Sequence, residues 1–141
     1  MTEKEDVLRC MPENAAMLAL GLAVLSSVQE VVSGVVPDAI PLPGTPVTKE
    51  NFRTYILALL VEVSEFAQEF DYKSWSSRSN LLSIKETSSN DRVLDEFADI
   101  LAFLGVILVY MQRLGFSTRD IAEAYAFKTR VNMQRLSRFE E

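Results

Sequence analysis

The 141-residue sequence contains no histidine and a single cysteine, Cys10. Without histidine the commonest general base, the commonest zinc ligand and every Ser–His or Cys–His relay are excluded. One cysteine forms neither an internal disulfide nor a thiolate zinc cluster, which suits a reducing compartment. Positive charge is also scarce: 14 Lys and Arg stand against 20 Asp and Glu, a net charge of −6. That balance argues against general binding to a nucleic-acid backbone. The two longest apolar runs, residues 15–25 and 100–111, fall short of the roughly 20 residues a bilayer span needs. Ahead of the first run, Lys4 and Arg9 are outnumbered by Glu3, Glu5, Asp6 and Glu13, so it lacks the positive leader of a secretory signal. The expectation is a soluble cytoplasmic protein with neither a membrane nor a nucleic-acid partner.

The chain reads as one all-α domain over residues 1–141, a bundle of four main helices. The first helix is expected over residues 14–33, with Asn14 as N-cap and residues 1–13 mobile. It is apolar on nearly every side. Residues 34–47, with Pro37, Pro41, Pro43, Gly44 and Pro46, form a connection no helix crosses. Thr48 opens a second helix running to about residue 70. A polar connection over residues 71–90 is expected to hold one short helix at 81–85. A third helix starts near residues 88–90, with Asp91 favouring the dipole of its first turn, and stops before Gly115 as C′ residue. Ser117 and Asp120 resemble a capping box opening a fourth helix, which runs to about residue 138.

Acidic residues lie in line with apolar ones. Glu62 and Glu65 share a face of the second helix, which Glu69 extends and which continues as Tyr55, Ala58 and Leu59. On the third helix Glu96 and Asp99 share a face with Phe103, Val106 and Tyr110. Carboxylates in a buried stripe are costly unless something neutralises them. Six of the 14 basic residues fall between Arg113 and Arg138. On the fourth helix Ile121, Tyr125, Lys128, Asn132 and Arg135 form one stripe, expected to pack against the acidic helices. Four inward carboxylates without histidine or cysteine suit a hard cation: Mg²⁺, with Mn²⁺ compatible with the same donors. Neither an EF-hand loop nor a P-loop is present. Trp75, beside Lys73, serves either to stack on a base or to plug the bundle end, and Phe103 either as core or as a base contact.

The order Glu62-x-x-Glu65, Lys73-x-Trp75, Glu96-x-x-Asp99, then Tyr125, Lys128, Asn132 and Arg135 resembles the all-α nucleoside triphosphate pyrophosphohydrolases. That superfamily includes the dimeric-type dUTPases and the MazG-type enzymes. The dUTPase branch is the better match, over about residues 54–138 and weakly over the first helix. The resemblance implies hydrolysis of dUTP, and of dUDP, to dUMP with Mg²⁺ and an activated water. It implies Glu62, Glu65, Glu96 and Asp99 as catalytic metal ligands, with Glu62 deprotonating the water. Lys73, Lys128 and Arg135 would neutralise phosphate charge and Asn132 would hold the sugar or a phosphate oxygen, with Tyr125 and Trp75 also at the nucleotide. Gln29 matches weakly a residue that contacts the base, a role also open to Phe103. The competing readings are a MazG-type enzyme of other or broader base range and a non-catalytic helical dimerisation module. The apolar first helix points to a homodimer or a dimer of dimers.

Overall fold

The computed structural model describes residues 3–33, 40, 45–73, 75 and 80–139, without the side chains of 3–12, 32, 33, 137 and 139. Four helices dominate: α1 (Glu3–Ser33), α2 (Lys49–Gln68), α3 (Asn90–Arg113) and α4 (Thr118–Phe139). A two-stranded antiparallel ladder, β1 (Phe70–Asp71) with β2 (Ser83–Ile84), ties the α2–α3 connection together. Most of the Pro-rich connection, Ser74, residues 76–79 and the Cys10 side chain lie outside the described residues.

The helix ends follow from local chemistry. The Thr48 hydroxyl accepts the Asn51 N–H at 3.0 Å and opens α2. Ser89 does the same for α3, accepting from the Arg92 N–H at 3.2 Å. At the start of α4 Ser117 and Asp120 bond reciprocally, each side chain accepting the other's N–H, at 2.9 and 3.0 Å. The end of α3 is a Schellman turn: Phe116 N–H reaches the Met111 carbonyl and Gly115 N–H the Gln112 carbonyl, both at 3.0 Å. Gly115 sits at φ +100°, a conformation that side chains resist.

Two expectations about elements fail. α1 starts at Glu3 rather than near Asn14. Its backbone continues through Pro12, whose fixed φ is helical although the ring removes a backbone bond and crowds the carbonyl one turn earlier. Residues 81–85 form no short helix. Five residues rarely nucleate one, and here Ser83 and Ile84 pair with β1 instead.

α3 is the central helix, packing on α2 through one face and on α1 through another. Val106, Val109 and Tyr110 from α3 join Ile40 in the core, with Tyr55, Val47 and Ile107 packed around them. Burial pushes the Tyr110 phenol up to about 12, with Tyr55 adding to the shift, so it stays protonated. The α1–α3 contact is close at Gly105, where a Cβ would come within 2.4 Å of Gln29 Cγ and 3.3 Å of the Leu25 carbonyl. Gln112 donates to the buried Ser26 hydroxyl at 2.9 Å on the same face.

α4 corrects a third expectation. It packs on α1 and makes no substantial interface with α2 or α3. Its inward face is Thr118, Ala122, Ala126, Thr129 and Met133, of which Ala122 is fully buried. Small residues let the helices approach closely, and the stripe from Tyr125 to Arg135 is left outside.

The opposite face of α1 is apolar and uncovered: Met17, Leu20, Val24, Val28 and Val31 are all at least half exposed. The segment Glu13–Val31 is long and apolar enough, by length and composition, to cross a membrane. This window is longer than the unbroken apolar run of residues 15–25, which is too short on its own. Serines 26 and 27, Gln29 and Glu30 interrupt the run without lowering the average enough to exclude a span. α1 nevertheless spends its other faces on α3 and α4.

Candidate active site

The face of α2 that meets α3 carries Tyr55, Ala58, Leu59, Glu62, Phe66 and Glu69, all buried or half-buried. The facing stripe of α3 is Glu96, Phe103, Val106 and Tyr110. Helical spacing on two packed helices therefore brings carboxylates together between two aromatic groups. On one side Tyr55 lies against Phe103 and Tyr110, with centroids 6.1 and 6.0 Å away. On the other, Phe66 meets Phe70 at 5.1 Å and Phe97 at 5.5 Å.

Carboxylate oxygens of Glu62, Glu65 and Glu96 all lie within 4.8 Å of one another. Glu62 and Glu96 are half-buried and Glu65 is exposed. Burial, then the charges of Glu65, Asp99 and Glu96, hold the Glu62 carboxyl above its ordinary range. Burial, then Glu65, Glu69 and Asp99, raise Glu96 as well, against an opposing pull from Arg92. Asp99 thus acts electrostatically on both, although it is exposed and not one of the three grouped carboxylates. Glu96 Oε2 is buried with no hydrogen-bond partner among the described residues.

These features fit a hard divalent cation. The donors are all carboxylate oxygens, as Mg²⁺ and Mn²⁺ prefer. Around one Mg²⁺ neighbouring oxygens are about 2.9 Å apart and only opposite ones about 4.2 Å, so a grouping within 4.8 Å would draw in on the ion it holds. A cation would also remove the mutual repulsion and give Glu96 Oε2 its partner.

The remaining predicted residues are not gathered here. Lys73 Nζ sits 5.8 Å over the Trp75 ring, and both side chains are exposed. Trp75, 81% exposed, plugs nothing among the described residues. Tyr125, Lys128, Asn132 and Arg135 face solvent on α4, away from the carboxylates' two helices. Gln29 lies half-buried against Gly105, and Phe103, also half-buried, stacks against Tyr55.

Sequence reasoning placed Glu69 on the buried face of the second helix but missed its partners there, Arg92 and Ser88. Glu69 is 7% exposed at the C-cap of α2. Arg92 Nε pairs with its Oε1 at 2.9 Å and the Ser88 hydroxyl donates to Oε2. Its backbone carbonyl accepts the Lys85 N–H at 2.9 Å. One residue thus fastens α2, the end of β2 and the first turn of α3. The only signal for this in the sequence is an arginine one turn before Glu96, and spacing alone does not say which acid it meets.

A family model described as dUTPase matches residues 24–112, from the middle of α1 to the end of α3. The chain belongs to the dUTPase family. It is accordingly an all-α nucleoside triphosphate pyrophosphohydrolase. No curated protein and no solved structure matches it. The matched segment takes in Gln29, all four acids, Lys73, Trp75 and Phe103, and ends before the Tyr125–Arg135 stripe. The sequence resemblance was instead expected to run through α4 and only weakly into α1.

Proposed function

We propose that this dUTPase-family chain hydrolyses dUTP, and also dUDP, to dUMP in a Mg²⁺-dependent reaction, with Mn²⁺ as a working substitute. The observation that carries the metal dependence is the Glu62–Glu65–Glu96 grouping with an unpartnered buried oxygen on Glu96. Glu62, Glu65 and Glu96 would hold the ion, and Asp99, close enough to shift two of them, would complete the set. A bound divalent ion supplies charge neutralisation for the departing pyrophosphate and acidifies water.

Glu62 orients the attacking water and takes its proton on a carboxylate oxygen. Glu62 is half-buried between the two acidic helices beside Glu65 and Glu96, where one carboxylate oxygen can face the ion and the other a water. Lys73, over Trp75, offers its ammonium to the phosphates, and the Trp75 face is open for a base. Gln29 and Phe103, packed at Gly105 and Tyr55, would contribute to the base side only from the α1–α3 and α2–α3 seams.

Tyr125, Lys128, Asn132 and Arg135 require a second copy, since α4 of one protomer lies on α1 and not on the acidic helices. A homodimer or dimer of dimers, with the uncovered α1 face at the interface, would let a neighbour's α4 supply these donors. We place the assembly in the cytoplasm, its α1 stripe covered by protein instead of lipid.

The test is a panel of dUTP, dUDP, dCTP, dATP, dGTP and dTTP with Mg²⁺, with Mn²⁺ and with EDTA, reading released pyrophosphate or phosphate. Turnover of dUTP above the others, abolished by EDTA, is expected. Comparable rates on dCTP or dATP would favour the MazG-type range, and no metal-dependent turnover the non-catalytic module.

A further inference from the structure

We propose that Glu69 is a positioning residue for the carboxylate cluster: by engaging Arg92, it keeps the nearest guanidinium off Glu96 and leaves that carboxylate open to a divalent cation. The inference rests on the metal reading above.

Arg92 precedes Glu96 by one helical turn on α3, a spacing at which arginine and glutamate side chains ordinarily meet. Its guanidinium is always charged and is built to fork onto a carboxylate. Yet Glu96 Oε2 has no partner among the described residues, while Arg92 Nε lies 2.9 Å from Glu69 on the neighbouring helix. Glu69 outcompetes Glu96 for physical reasons. Its carboxylate is largely buried, it is fixed by the Ser88 hydroxyl, and its backbone is held by Lys85, so it is preorganised where Arg92 arrives.

The consequence is a division of roles among neighbouring acids. Glu69 takes the direct contact of the guanidinium, and Glu96 feels Arg92 only at a distance, with its Oε2 left unpartnered among the described residues. An arginine released from Glu69 would find Glu96 on its own helix and occupy the oxygen that a metal ion would take. Arg92 is 62% exposed, so its side chain has room to turn toward Glu96. The same joint anchors both ends of the connection carrying Lys73 and Trp75, because β1 follows Glu69 directly and Lys85 follows β2.

The test is Mn²⁺ uptake by the full-length chain, measured by calorimetry and by loss of the free-ion EPR signal, with circular dichroism confirming the fold. Glu69→Gln is expected to weaken Mn²⁺ binding at least about tenfold, the size typical of a group just outside a metal site. The Glu69→Gln/Arg92→Gln double variant is expected to return within about threefold of the wild-type affinity, because the competing cation is gone. A merely structural joint gives a different result: the double variant binds no better than Glu69→Gln. Wild-type affinity in Glu69→Gln, or no recovery in the double variant, would overturn the proposal. Should Glu69→Gln fail to fold, Arg92→Gln alone decides: Mn²⁺ binding as tight as wild type or tighter supports the proposal, and weaker binding sinks it. If the wild-type chain takes up no Mn²⁺, the metal reading itself falls and this inference goes with it.

Discussion

Glu62 is held between two demands, and the conflict is measurable. Burial and three neighbouring acids raise its proton affinity, so the metal-free native state binds this proton over a pH range in which the unfolded chain has already released it. Stability then falls as pH rises from about 4.5 through the raised value, because the native state carries the extra proton there. Glu96 acts in the same direction. Glu62→Gln removes part of the penalty. The metal-free variant should therefore melt at a higher temperature than wild type at pH 7–8, with a flatter dependence of melting temperature on pH. Its dUTP turnover should fall by roughly 10²–10⁴-fold, the usual contribution of a general base. Mg²⁺ should raise the melting temperature of the wild type more than that of the variant. An unchanged pH profile of melting would remove the electrostatic account. The acid pairs were legible in the sequence because helical spacing alone puts Glu62 with Glu65 and Glu96 with Asp99. That Glu69 belongs to Arg92 was not, since that pairing depends on how two helices cross.

Among the elements, α1 and α3 meet most closely where a glycine faces a glutamine. A methyl group on Gly105 would lie 2.4 Å from Gln29 Cγ, an inner atom of that side chain, and 3.3 Å from a backbone carbonyl that cannot retreat. Alanine would gain about 1 kcal/mol in helix propensity, while overpacking typically costs 1–3 kcal/mol. Gly105→Ala should therefore be net destabilising, seen as a lowered melting temperature. Adding Gln29→Ala should recover much of the loss, because the two changes share one contact. A neutral Gly105→Ala would mean that the helices separate freely. Element boundaries were readable wherever one side chain sets them, as at Thr48, Ser89, Gly115 and the Ser117–Asp120 pair. They were unreadable where the chain chooses between near-equal local options. Pro12 inside α1 and the β1–β2 pairing are of that kind, decided by the backbone bonds available nearby. The packing partner of α4 was hidden for another reason. Its small-residue face, not its more conspicuous Tyr–Lys–Asn–Arg stripe, meets α1.

For the molecule as a whole, exposed apolar surface and site completeness lead to the same arrangement. The α1 stripe Met17, Leu20, Val24, Val28 and Val31 is exposed on the helix to which α4 is attached. A second copy on that stripe would cover it and could carry its own α4 to the first copy's carboxylates. Leu20→Glu/Val24→Glu places two charges in the middle of the stripe without touching α3. The variant should run at monomer mass by light scattering, where the wild type runs as a dimer or tetramer. Its Mn²⁺ uptake should persist, because Glu62, Glu65 and Glu96 come from one chain. Its dUTP turnover should drop sharply, because Lys128, Asn132 and Arg135 would no longer arrive from a neighbour. A monomeric variant with full turnover would show that one chain completes the site, and that α4 moves onto the acidic helices when the nucleotide binds. A wild type that is itself monomeric at micromolar concentration would leave the stripe to a partner of another kind.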